Sequence, residues 1–354
     1  MKNRIMTCVF LIGIFGIAIA SIFLKDKEIS VFERRKLTQF PKVDADFTQK
    51  LDDYLVDQIV FRDELIGLNS GINRKVLGKI DDKNVYIIDD NIYEINHTLD
   101  KNKCIKFYEK LNYITQNYFN FANVYYTIIP DKSYFLDQTK YLKMDYNQMY
   151  KILKDNINGK YIDITNMLTA NDYYRTDIHW KQENLLDVAN KILKNMGNSL
   201  INVEYNIKEY NNFYGASYSK GNKNIEPDTL SYLYNDDINK LYAYHLEFGN
   251  KDIYDEEKLH GVDSYDVFLS GPSSYIEIEN PNAKQDKTLI LFRDSFGSSI
   301  TPLFIPYYSK TIIIDLRYID FSYISEELKQ EDCDVLYLYS TLIINNSDIL
   351  KVNY

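Results

Sequence analysis

The first hydrophobic feature of the chain is an uncharged run from Ile5 to Leu24, preceded by Lys2 and Arg4 and closed by Lys25. About 20 apolar residues rising ~1.5 Å each match a bilayer core of about 30 Å, so the run predicts a transmembrane helix. Positive charge lies before it, whereas Lys25-Asp26-Lys27-Glu28 behind it is balanced. That asymmetry places the N-terminus inside and the rest of the chain outside. Ala18-Ile19-Ala20 has the small-residue spacing of a signal-peptidase site, but Ile22-Phe23-Leu24 carries the apolar run past it. An uncleaved single-pass anchor in the cell membrane is therefore favoured, and a cleaved, secreted form is the alternative. Residues 1–24 form this anchor or signal peptide.

Residues 25–75 read as an extracytoplasmic stalk. Within it Leu51, Tyr54, Leu55, Ile59 and Phe61 recur at helical spacing, predicting a helix with one packed face. The pattern then changes period. Val85–Ile88 and Ile92–Ile95 flank Asp89-Asp90-Asn91, a predicted hairpin. Continuous apolar, β-branched runs follow at Val124–Ile129, Thr288–Phe292, Thr311–Asp315 and Val335–Tyr339, with a short one at Lys160–Asp163. Such runs are strands buried on both faces. Helical spacing falls between them at Ile105–Phe119, Asn147–Asp155 and Leu185–Met196, the last closed by Gly197, and a helix is expected from Ser299 to Tyr307. Alternating strands and helices imply an α/β fold with a mostly parallel sheet. Residues 76–354 form this domain, and 198–280, rich in Asn, Tyr and Gly, reads as an irregular or antiparallel insertion.

Charge narrows the function. A formal net charge of −10 and the lack of any Lys/Arg-rich run argue against nucleic acid as a partner. Cys8, Cys104 and Cys333 have neither CxxC nor zinc spacing, and Cys8 lies in the apolar run. At most Cys104 and Cys333 can pair. No metal or cofactor is expected. The 33 tyrosines suit sugar stacking, but a compositional bias toward Ile, Lys, Asn and Tyr is the favoured reading.

Two elements can carry chemistry. Ser295 lies in Phe292-Arg293-Asp294-Ser295-Phe296-Gly297, where a buried strand breaks toward a helix. Ligands of open α/β sheets bind at that end, and backbone N–H groups there can stabilise an oxyanion. An N-capping serine is the plain alternative. The second element is Thr176-Asp177-Ile178-His179-Trp180. A serine nucleophile needs a base, and the base needs an acid to set its tautomer. An Asp two residues before a His can supply that contact to Nδ1 and leave Nε2 for the serine.

Tyr174-Arg175-Thr176-Asp177-Ile178-His179-Trp180 resembles the signature of the DHHW family, with Ile178 in place of the usual first His. That family is similar to alginate O-acetyltransferase proteins of the AlgX and AlgJ type, which have an SGNH-hydrolase-like three-layer α/β/α fold. Further family-like stretches appear in order. They are Glu33–Pro41, Asp57-Gln58 with Phe61-Arg62-Asp63, Ile129–Ser133, Phe213–Tyr218, Leu291–Ser299 and Ile314–Tyr318. The resemblance implies catalytic Asp177, His179 and Ser295, in an order permuted relative to ordinary SGNH hydrolases. It offers Gly271, Arg317 and Tyr174 as oxyanion or substrate-binding residues, although an Arg317 ion pair with Asp315 or Asp294 fits as well. Ser270-Gly271-Pro272-Ser273 departs from the family by lacking the Asn that SGNH enzymes use as an oxyanion donor.

The resemblance therefore implies an extracytoplasmic O-acetyltransferase or acetylesterase acting on a cell-surface polysaccharide through an acetyl-serine. Its acetyl donor would be delivered by a separate multi-pass membrane O-acyltransferase. The alternative from another class is a non-catalytic glycan-binding or envelope-assembly protein that keeps the fold.

Overall fold

The computed structural model describes the chain except residues 1, 31–32, 34, 76–83, 221–224, 329–331 and 354. Arg34 and the start of the expected 76–354 domain thus lie outside the described residues. The chain divides into two compact units, 1–92 with 216–226, and 93–215 with 227–354.

The first unit contains α1 (Lys2–Phe23), α2 (Phe47–Asp57) and α3 (Arg62–Lys75). Within α1, Arg4–Phe23 is long and apolar enough to cross a membrane, and that segment is unburied. The family-like stretches of this unit clasp one another. Arg35 grips the Asp57 carboxylate with both guanidinium arms, and Asp57 also accepts from the Thr38 N–H and hydroxyl at 2.8 and 2.9 Å. Arg62 closes a second clasp on Glu33. The Arg35 guanidinium holds the Asp57 carboxyl well below the usual carboxylate range. A depressed carboxyl stabilises the fold above the unfolded value of about 4 and loses that contribution as pH falls. Asp57→Asn is therefore expected to loosen the unit by only about 1 kcal/mol, because the Arg35 side chain is 42% exposed. Faster proteolysis within residues 25–75 at neutral pH, with a smaller difference from wild type in acid, would be the sign.

The second unit is built on one eight-stranded sheet. Its members are β1 (Asn123–Ile129), β2 (Lys160–Tyr161), β5 (Tyr242–His245), β6 (Gly249–Asp252), β7 (Tyr275–Glu279), β8 (Gln285–Arg293), β9 (Tyr308–Ile314) and β10 (Cys333–Ser340), while β3 (Asn206–Phe213) and β4 (Asp228–Tyr234) form a separate antiparallel pair. The order across the sheet is β6-β5-β7-β9-β8-β10-β1-β2. The stretch from β9 to β2 is parallel, and β7, β5 and β6 extend it antiparallel. The stretch 198–280 thus supplies an antiparallel hairpin of its own and three strands of the main sheet.

Alternate residues of the central strands feed two cores. Leu289, Leu291, Leu336 and Leu338 pack on one face with α6 (Leu186–Asn195). Ile290, Phe292, Val335 and Tyr337 pack on the other with α4 (Lys101–Tyr118) and α5 (Tyr146–Asn156). Burial on both faces is why these strands read as unbroken apolar runs. Caps fix the helices: Asp100 accepts from two N–H groups of α4, Asp145 from one of α5, and Gly197, at φ +91°, ends α6 in the left-handed region that glycine tolerates. The helix expected over Ser299–Tyr307 differs. It begins at Gly297, lasts one turn to Ile300, and breaks into 3₁₀ turns at Thr301–Leu303 and Ile305–Tyr307. Pro302 and Pro306, lacking N–H groups, account for the break. Cys104 and Cys333 are both buried as free thiols, not joined.

Candidate active site

Ser295 follows the carboxyl end of β8, a central strand flanked by β9 and β10. Asp294 shapes the turn. Its carboxylate accepts from the Phe296 N–H at 3.0 Å and from the Ser340 N–H at 2.7 Å, tying the turn to the end of β10. Gly297 is required on steric grounds, because a Cβ there would stand 2.6 Å from the Arg293 Cβ. Ser295 is left half-buried at the turn, and its N–H has no hydrogen bond among the described residues.

The Asp-x-His segment is a tight loop. Tyr173 bridges Trp180, and the Tyr174 N–H donates to the His179 carbonyl at 3.1 Å. Asp177 Oδ1 accepts from the His179 N–H at 2.9 Å and lies 2.6 Å from His179 Nδ1. On the other side of the ring, His179 Nε2 lies 2.8 Å from Ser295 Oγ. A carboxylate can only accept, which places the ring proton on Nδ1 and leaves Nε2 as acceptor for the serine hydroxyl. Ser295, His179 and Asp177 are thus brought into one hydrogen-bonded chain across 116 residues.

Residues that sequence reasoning gave no role hold this arrangement. The Tyr265 ring stacks on the His179 imidazole, centroids 4.0 Å apart and planes 10° apart, and the Tyr265 hydroxyl donates to Ser299 Oγ. Trp180 Nε1 donates to the Phe296 carbonyl and to Ser299 Oγ, both at 2.9 Å. Asp228 accepts the N–H groups of Arg175 and Thr176 and the Thr176 hydroxyl. Gly215 passes so close to Asp177 that no side chain fits, and its N–H donates to Thr176 Oγ1 at 3.0 Å. The sequence carried a faint signal for Gly215, which lies in the family-like stretch Phe213–Tyr218, and none that Tyr265 would meet the imidazole. Nothing in it marked Asp228.

The other three candidates stand differently. Arg317 forms a two-armed ion pair with Asp315, at 2.9 and 2.6 Å, and Asp315 also faces the fully buried Arg293. Gly271 sits at φ +94°, and its N–H is engaged by the Phe268 carbonyl at 3.2 Å. Tyr174 is fully buried with its ring edge-on to Phe213, so it faces a core and not a groove. Among the described residues, no group of three His, Cys, Asp or Glu side chains is placed to hold a metal ion.

No protein-family model matches the chain, and neither does any curated protein. Solved structures do. A DHHW family protein from Eubacterium siraeum superposes with a TM-score of 0.63 at 22% identity, over 75% of this chain and 94% of that one. The fold is that of a DHHW family protein. Bacillus cereus PatB1, solved with a sulfonyl adduct, superposes on this DHHW-like fold with a TM-score of 0.61 at 18% identity, over 76% and 98% of the two chains. The O-acetyltransferase domain of Pseudomonas putida AlgJ matches more loosely, with a TM-score of 0.39 at 11% identity, over 69% and 82%.

Proposed function

We propose that the chain is an extracytoplasmic serine acetyltransferase or acetylesterase of SGNH-hydrolase type, anchored by its N-terminal helix. The observation that carries this reading is the unbroken relay from Asp177 through His179 to Ser295 Oγ, at 2.6 and 2.8 Å. Ser295 Oγ attacks the acetyl carbonyl while its proton passes to His179 Nε2. The Asp177 carboxylate stabilises the imidazolium and keeps the ring oriented. The carbonyl oxygen of the tetrahedral intermediate takes up negative charge beside the Ser295 N–H. The intermediate collapses as the leaving oxygen takes the proton from His179, giving acetyl-Ser295. A hydroxyl then loses its proton to His179 and attacks the acetyl carbon, and the new intermediate collapses as His179 returns that proton to the departing Ser295 Oγ.

Water and a sugar hydroxyl are equivalent acceptors in this scheme. Resemblance to the alginate acetyltransferase group favours a cell-surface polysaccharide, with acetyl groups supplied by a separate multi-pass membrane acyltransferase. The second reading, a glycan-binding protein without turnover, draws support from the missing oxyanion Asn and from the engaged Gly271 N–H. Acetate release from p-nitrophenyl acetate by residues 26–354, compared between wild type and His179→Ala, separates the two. Loss on the order of 10³-fold or more in the variant is expected if His179 is the base. Background-level release by the wild type favours the binding protein. A sulfonyl fluoride, chemically related to the adduct in PatB1, is expected to block the wild-type activity.

A further inference from the structure

The loop that presents Asp177 and His179 is held by two buried charges of opposite sign. On one side the Asp228 carboxylate collects N–H donors, those of Arg175 and Thr176 at 2.9 and 2.8 Å. On the other, Lys132 Nζ donates to three backbone carbonyls of the same loop, those of Tyr174 at 2.6 Å, Arg175 at 3.1 Å and Asp177 at 3.2 Å. Lys132 is itself 4% exposed and lies just past the carboxyl end of β1, after Pro130 and Asp131. Its ammonium also stands over the Tyr93 ring, 5.3 Å from the centroid. Each charge is matched to the half of the peptide group it faces: the anion takes amides and the cation takes carbonyls.

A lysine on a structural surface does not need burial. Burying an ammonium is costly unless each of its donors is satisfied. Here an ammonium's three donors meet three acceptors, and all three belong to the loop that carries the candidate base and its acid. A neutral amine has only two donors and a lone pair, so at least one of those carbonyls must face the lone pair. The charge on Lys132, not merely its length, therefore sets the loop's geometry.

We propose that Lys132 is a positioning residue whose positive charge locks the 174–179 loop and so holds His179 in line with Ser295. This rests on the reading of Ser295 and His179 as nucleophile and base. Burial pushes the Lys132 ammonium down to about 7, with Lys181 acting in the same sense. Asp228, Asp177 and Glu94 oppose the shift but do not cancel it. The lock thus opens as pH rises through neutrality, and turnover falls on the alkaline side while the chain remains folded. The sign is separable from stability. An ammonium depressed in the folded state binds fewer protons there than in the unfolded chain, so its contribution to stability rises with pH from about 7 toward 10.

The test uses the full chain in detergent. Turnover of p-nitrophenyl acetate against pH, and hydrogen–deuterium exchange of the 173–180 segment at pH 6 and 9 after correction for intrinsic rates, are measured on wild type and Lys132→Met. In the wild type an alkaline fall in kcat with a midpoint near 7 is expected. Selective loss of protection in residues 173–180, with no change in the β8 strand, should accompany it. Lys132→Met is expected to lower kcat at pH 6 by about 100-fold with little change in KM, as displacement of a catalytic group does, and to abolish the alkaline limb. Wild-type kcat with an unaltered limb in a folded Lys132→Met overturns the proposal. So does wild-type protection of 173–180 that is the same at both pH values, which decides the matter even if the variant does not fold. A wild type that loses loop protection as expected but turns over no ester leaves the lock standing and refutes the catalytic reading alone.

Discussion

Ser295→Ala is expected to lower ester turnover by about 10⁴-fold or more while leaving the fold and its melting temperature essentially unchanged. The size follows from the site: Ser295 Oγ is the only atom of the relay that forms a bond to the acyl group. The stability follows from the position. Ser295 is half-buried, and among the described residues its side chain makes one hydrogen bond, to His179 Nε2. Removing the hydroxyl leaves the turn intact, because Asp294 and Gly297 shape it without using Ser295 Oγ. Residual slow acetate release in the variant is expected from binding and the remaining backbone donors. Comparison of kcat and of thermal melts for the two proteins checks both halves of the expectation.

Gly215→Ala is expected to be damaging by an indirect route, though less so than Ser295→Ala. A methyl group at this position would lie 2.6 Å from the Thr176 carbonyl oxygen and 2.7 Å from the Asp177 Cα, both backbone atoms with nowhere to go. The loop must shift, and with it the Asp177 carboxylate that orients His179. A displacement of about 1 Å at a catalytic group costs on the order of 100-fold in rate, and overpacking of this kind destabilises by about 1–3 kcal/mol. Reduced kcat together with a lower melting temperature is the expected pair of results. A variant with both at wild-type values would mean that the 215 backbone does not press on the loop in solution.

The strands were legible because burial on both faces leaves a simple mark. Leu289–Phe292 and Val335–Tyr339 feed two cores in alternation, so every position is apolar and no amphipathic period hides them. The serine turn and the Asp-x-His loop were legible because their chemistry is local: Asp177 and His179 meet within three residues. What failed to show was everything that arrives from a distance. Tyr265 reaches the imidazole from 86 positions away in sequence, counted from residue 179, and Asp228 binds the loop across 52. Lys132 lies in the family-like stretch Ile129–Ser133, but nothing in the sequence marks it as buried, and only the three-dimensional convergence of carbonyls reveals why it is inside. The broken helix after Ser299 is a different kind of miss. Pro302 and Pro306 stood in the sequence, and their lost N–H groups were sufficient reason to expect the 3₁₀ turns.

The ambiguous arginine is also instructive. Arg317 fitted either an exposed substrate ligand or an ion pair, and the structure ties it to Asp315 with two hydrogen bonds. Burial disfavours the charged guanidinium, but the pairing with the Asp315 carboxylate more than offsets it and holds Arg317 in the charged state. The oxyanion question is sharpened in the same way. With the Gly271 N–H engaged by Phe268, the Ser295 N–H is the backbone donor on which the proposed mechanism relies.

The most direct test of the account is to trap the intermediate. Wild-type protein mixed with p-nitrophenyl acetate and quenched in acid is predicted to carry one acetyl group on the peptide containing Ser295, absent from Ser295→Ala. Acetate release by the wild type with no acetylation of Ser295, or with the acetyl group on another side chain, would contradict it.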